Sequence, residues 1–100
     1  MVAVGYTSKG ERLEFNCSNG VLFCYDSDLV SLEIPESVTH VWCYNNKLTE
    51  LILPEGVEFI NCRNNLLTEL TIPKSVTRLI CDKEVSGLDK LIGKEDIDLW

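Results

Sequence analysis

The sequence predicts a solenoid of short stacked coils. A parallel β-sheet lines its concave face, extended or single-turn segments with little helix return along its convex face, and a hairpin closes the N-terminal end. Three observations predict it. Residue types recur at a step of nineteen, as in Cys24, Cys43, Cys62 and Cys81, in Pro35, Pro54 and Pro73, and in Val38, Val57 and Val76. The aliphatic residues keep the same step in three further registers: Leu29, Leu48, Leu67; Leu32, Leu51, Leu70; and Ile34, Leu53, Ile72. Within each recurrence a short stretch alternates as a strand requires, so that in "HVWCY" Val41 and Cys43 take one face while His40, Trp42 and Tyr44 take the other.

The elements follow in order along a single domain. Residues 1–18 form an N-terminal cap, because a stack of coils ends in exposed core and open strand edges. Its text, "VAVGY", a turn at "TSKGE", then "RLEFNC", reads as a hairpin laid over the first coil, with Cys17 in phase with Leu13 and Phe15 as apolar filler. Four repeat units come next, at 19–37, 38–56, 57–75 and a shortened 76–85. One strand per unit cannot bury its inner face alone, so successive units stack in parallel at about 4.8 Å and each buries its neighbour. Leu48, Leu51 and Leu53 fill the same core from the far side, and Pro54 closes the return with a fixed φ and no donor to lose. Asn46 and Asn65 stand where the chain leaves the strand, and an inward amide there satisfies backbone groups that the bend removes from water. Residues 86–100 are the C-terminal cap and tail. Val85–Ile92 predicts one or two helical turns, packing Leu88, Leu91 and Ile92 on the last unit. In "KEDIDLW", Ile97, Leu99 and Trp100 alternate with acids, which fits both a last strand on the sheet edge and a free acidic-aromatic docking peptide.

Written out, each unit reads V-x-x-[VIL]-x-C-x-x-N-x-L-x-x-L-x-[LI]-P-x-[SG]. It resembles the leucine-rich repeat pattern L-x-x-L-x-L-x-x-N-x-L, in the short form found in bacterial and some viral proteins. The resemblance covers residues 19 to about 85. Three features depart from the pattern. Nineteen residues leave no room for a full helix on the return path; cysteine replaces the second strand leucine in every unit; and the asparagine position holds Ser27, Asn46, Asn65 and Glu84, so a continuous amide ladder is available only in the middle units.

Composition excludes several functions. Hydrophobic residues at 45% and charged residues at 25% are ordinary for a folded chain and argue against wholesale disorder. A net charge of −7 argues against non-specific nucleic-acid binding, which needs an excess of Lys and Arg. No apolar run approaches the roughly 20 residues that span a bilayer, so no membrane partner is expected. Five cysteines without a signal peptide or close pairing predict reduced thiols in a cytoplasm, that of the producing cell or of a host.

The cysteine column reads as core filler. Tetrahedral zinc needs sulfurs converging at roughly 3.8 Å in three dimensions, whereas one thiol per unit makes a line. A disulfide would turn adjacent side chains toward each other against their parallel orientation. Catalysis needs a base beside the thiol, and His40, the single histidine, lies on the face opposite Cys43. No cofactor or metal is expected, and no enzyme: Asp26 and Asp28 lie on a turn without a pocket.

The outward strand positions form three rows: Val21, His40, Phe59, Arg78; Phe23, Trp42, Asn61, Ile80; and Tyr25, Tyr44, Arg63, Asp82. Five of these twelve are aromatic, where an unpartnered solvated face would carry Thr, Lys, Glu and Ser as the returns "KLTE" and "LLTE" do. Aromatic and Arg enrichment marks protein interfaces, although aromatics also favour strands for their own sake. The expected function is a non-catalytic protein-binding module, a small stand-alone inhibitor or adaptor. Its contact residues are Phe23, Tyr25, His40, Trp42, Tyr44, Phe59, Asn61, Arg63, Arg78 and Ile80. The alternative is a structural protein that forms a homodimer through the sheet face or an end strand.

Overall fold

A computed structural model describes residues 1–86 and 97–99 of the chain, with Asp98 the one described side chain of the last three. These residues form eight strands and no helix: β1 (Val2–Thr7), β2 (Arg12–Asn16), β3 (Val21–Phe23), β4 (Leu29–Glu33), β5 (His40–Trp42), β6 (Phe59–Asn61), β7 (Arg78–Cys81) and β8 (Ile97–Leu99). They make two sheets, an antiparallel one ordered β2-β1-β4 and a parallel one ordered β3-β5-β6-β7-β8.

The parallel sheet carries the repeat directly into space. Val21 pairs with His40, His40 with Phe59, and Phe59 with Arg78, each one unit further on. Period-two alternation then sends Leu22, Val41, Ile60 and Leu79 inward, all 1% exposed or less, with Cys24, Cys43, Cys62 and Cys81 beside them. Leu29, Leu48 and Leu67 close the same core, as do Leu32, Leu51 and Leu70. Each return ends in one repeated turn: Val38 N, Val57 N and Val76 N donate to Pro35 O, Pro54 O and Pro73 O, at 3.2 Å each.

Where the strands end, the backbone turns through a left-handed residue in every full unit, Asp26, Asn45 and Asn64, with φ of 54°, 58° and 56°. Asp and Asn tolerate this conformation because their short polar side chains bond locally. In the two middle units the next residue carries the amide expected at the strand exit. Asn46 is 8% exposed; its Oδ1 accepts from Ser27 N and Leu29 N, and its Nδ2 donates to Cys24 O and Cys43 O. Asn65 repeats the arrangement one unit later, accepting from Leu48 N and donating to Cys43 O and Cys62 O.

The N-terminal hairpin forms as expected, with Val2 opposite Asn16 and Tyr6 opposite Arg12. It lies over the first unit, and its mode of attachment is specific. The hairpin docks by pairing β1 antiparallel with β4, on the return segment of the first unit, and does not extend the parallel sheet beyond β3. Gly5 is the reason: a Cβ there would stand 2.7 Å from Leu29 Cδ2, so only glycine lets β1 close onto β4.

At the other end β8 adds in parallel beside β7, Leu79 to Ile97 and Ile80 to Asp98, so residues 97–99 take the edge-strand alternative. The helical turns expected over Val85–Ile92, and Trp100, fall outside the described residues except for Val85 and Ser86. Val85 is buried, and Ser86 forms a parallel bridge with Glu69.

Candidate functional site

The outward rows lie where strand alternation puts them, and their rings are in contact. Phe23, Trp42 and Asn61 share one register across β3, β5 and β6, as do Val21, His40 and Phe59. The Tyr25 and Tyr44 rings stack at 4.8 Å between centroids with 4° between planes, the separation that parallel strands impose. Phe23 stacks on Trp42 at 6.1 Å, Trp42 leans on Phe59 at 4.5 Å, and Phe59 stacks on His40 at 6.2 Å. Phe23 also meets Tyr25 edge to face at 6.4 Å, joining the two rows. The Arg63 guanidinium lies 5.9 Å from the Tyr44 centroid and continues that row as a cation over a ring face.

Exposure across this face is uneven. Phe23 is 57% and Tyr25 41% exposed, whereas Phe59 and Asn61, equally expected as contact residues, are 9% and 7% exposed. His40, Trp42, Tyr44, Arg63, Arg78 and Ile80 are intermediate. The open part of the face is therefore its β3–β5 half, with Phe59 serving as the floor under Trp42.

Three polar contacts on or beside this face were not apparent from the repeat pattern. Arg78 Nη2 meets Asp98 Oδ2 at 3.0 Å, tying β8 to the outer face of β7. Asp82 accepts from Asn64 N at 2.8 Å and from Asn65 N at 3.2 Å through its two carboxylate oxygens. It thereby caps the third unit's bend, where the fourth unit has Glu84 and no amide. Thr39 Oγ1 lies 2.9 Å from His40 Nδ1, holding that ring at the rim. Of these residues Asp82 alone carries a sequence signal, an acid just beyond a strand end.

Burial governs the thiols behind the face. All five cysteines are free and buried. Burial, with a smaller contribution from Cys17, pushes the Cys24 thiol up to about 12, and burial with Asp82 nearby pushes Cys81 up to about 11. Cys43 and Cys62 are raised too, again by burial first and then by neighbouring thiols. A thiol kept protonated in this way is a poor nucleophile and a poor metal ligand. Among the described residues no three metal-ligating side chains converge, and no helix is long and apolar enough to cross a membrane.

Compared with known proteins, the chain matches no family model, no curated protein and no solved structure.

Proposed function

We propose that the chain is a non-catalytic protein-binding module of the leucine-rich repeat type, a solenoid that engages one protein partner through the outer face of its parallel sheet. It acts as a small inhibitor or adaptor in a reducing cytoplasm. The observation that carries this reading is the continuous run of rings from Tyr25 and Phe23 to Trp42, Tyr44 and Phe59, open to solvent at its β3 end. Rigid aromatic groups with an adjacent guanidinium contribute large contact area at little entropic cost, which is why they anchor interfaces. The repeat type is supported by the inward aliphatic rows and by the asparagine at each middle strand exit.

The test is affinity capture from lysates of the source cell, with wild type against a Phe23→Ser, Trp42→Ser double variant of unchanged fold. A partner retained by wild type and lost by the variant supports the reading; equal retention removes it.

One observation favours a second reading, self-association through an end strand. The hairpin occupies β4, so among the described residues no strand lies on the outer edge of β3. Light scattering across a concentration series separates the two: a monomer at high concentration leaves the partner-binding reading, and a dimer that Phe23→Ser dissolves supports self-association.

A further inference from the structure

The return segments of the first three units occupy equivalent repeat positions but are held differently. In the first unit the segment is β4, paired along its length by β1. In the third it is held by Ser86, whose N–H donates to Thr68 O and whose carbonyl accepts from Leu70 N, both at 3.0 Å. In the second unit, Thr49–Leu53 has neither. Among the described residues no backbone hydrogen bond joins it to another segment, the nearest being Leu66 N to Leu48 O at 2.8 Å just before it.

Beside this unpaired stretch runs a groove of 830 Å³ between residues 49–55 and 68–74. Leu51 and Leu53 turn into the core, while Ile52 between them is 73% exposed, so the segment already alternates as a half-buried strand. Glu50, Glu55 and Glu69 stand exposed around the groove, with Lys74 as the one basic residue lining it.

We infer that this groove takes an extended basic segment of a partner protein, added as a strand along Thr49–Leu53. An extended backbone with unused donors and acceptors is a template for strand addition, and the chain uses the equivalent position of its first unit in that way with its own β1. Three carboxylates against one ammonium select lysine or arginine on the incoming strand and reject acidic ones. The site lies on the returns and not on the aromatic sheet face, so it stands or falls independently of the function proposed above.

The test uses the full chain and three labelled eight-residue probes: a peptide alternating lysine and valine, its counterpart with glutamate for lysine, and the lysine peptide N-methylated at alternate backbone nitrogens. Fluorescence anisotropy is expected to show binding of the lysine peptide, weakening as salt rises. The N-methylated and glutamate peptides bind at least about tenfold more weakly, and Ser18→Ala, at an exposed position away from the groove, leaves lysine-peptide affinity unchanged. Glu50→Lys with Glu69→Lys, at two exposed positions, is expected to lower that affinity by a similar factor. Equal binding of lysine and glutamate peptides overturns the proposal, as does undiminished binding of the N-methylated peptide, which needs only the wild-type chain. A concentration-dependent dimer that Glu50→Lys abolishes also overturns it, because the occupant would then be a second copy.

Discussion

Asn46 joins Cys24 to Cys43: one amide nitrogen donates to both carbonyls, at 2.9 and 3.0 Å, while its oxygen accepts Leu29 N at 3.0 Å. A single buried side chain thus spans two units and replaces water at a bend that strand pairing cannot reach. Asn46→Ala leaves several buried backbone groups unpaired, at about 1–3 kcal/mol each where no water enters, so a total loss of about 3 kcal/mol or more is expected in urea unfolding. Ser18→Ala, at an exposed position beyond the ladder, is expected to stay within about 0.5 kcal/mol. Equal effects at the two sites would deny the amide its structural role.

The thiol column predicts a pH dependence with a definite sign. Cys24 is raised from the ordinary 9.0 to about 12 and Cys81 to about 11, each chiefly by burial. An unfolded chain ionises these thiols at lower pH than the folded one does. Their contribution is therefore intact below about pH 9 and is lost as pH climbs toward 11–12. Thermal midpoints are expected to hold between pH 7 and 8 and to fall above 9, with the fall reduced in Cys24→Val. Native thiols should also resist thiol reagents at pH 8 and react on unfolding, whereas stoichiometric zinc in the purified protein would contradict the filler role.

The hairpin cap can be tested at its closest contact. A Cβ on Gly5 meets Leu29 Cδ2 at 2.7 Å and Ser31 O at 3.3 Å, so Gly5→Val pushes β1 off β4. A loss of about 2 kcal/mol or more, with increased aggregation from the uncovered edge, is expected by calorimetry and light scattering. Gly10→Ala, at a turn with φ +83° and open space around it, tests backbone strain without a clash and is expected to cost about 1 kcal/mol.

Legibility followed periodicity. The strand positions β3, β5, β6 and β7, the inward Leu22–Val41–Ile60–Leu79 row and the cysteine column were readable because a step of nineteen and an alternation of two act together over four units. The pairing of β1 with β4 was not, since it depends on the absence of one side chain at Gly5 against Leu29, a relation no repeat encodes. Alternation gave the face of Phe59 and Asn61 correctly but not their burial, which Trp42 and the neighbouring rows determine. Asp82 was read as a face residue, and its capping of Asn64 and Asn65 was hidden because it stands two positions before the expected amide.

At the C-terminal edge the ion pair and the strand should separate. Arg78 and Asp98 are 43% and 53% exposed, so their bridge is screened and worth well under 1 kcal/mol. Asp98→Ala is therefore expected to leave the urea midpoint almost unchanged. Deleting residues 97–100 instead uncovers the edge of β7 and is expected to destabilise the chain and promote association. If the point substitution matches the deletion, the bridge, and not the strand, holds this edge.

The proposed binding face is best tested where exposure and ring contact differ. Phe23 is more than half exposed, so Phe23→Ala is expected to cost little stability, under about 1 kcal/mol, while removing the open end of the stack. Trp42 rests on Phe59 at 4.5 Å, so Trp42→Ala also uncovers a buried ring and is expected to cost about 1–2 kcal/mol of folding. In binding the larger cost again falls on Trp42. Trp42 lies between Phe23 and Asn61 in register, the central and most easily desolvated position, and its loss is expected to cost about 2 kcal/mol or more, roughly thirtyfold in affinity. Arg63→Glu replaces the cation over Tyr44 with an anion and is expected to weaken capture further at low salt than at high salt. Calorimetric affinities for the captured partner, set beside thermal midpoints of the same variants, decide the matter: a loss of affinity that merely tracks the loss of stability would mean that the aromatic face holds the sheet together and that the partner is bound elsewhere.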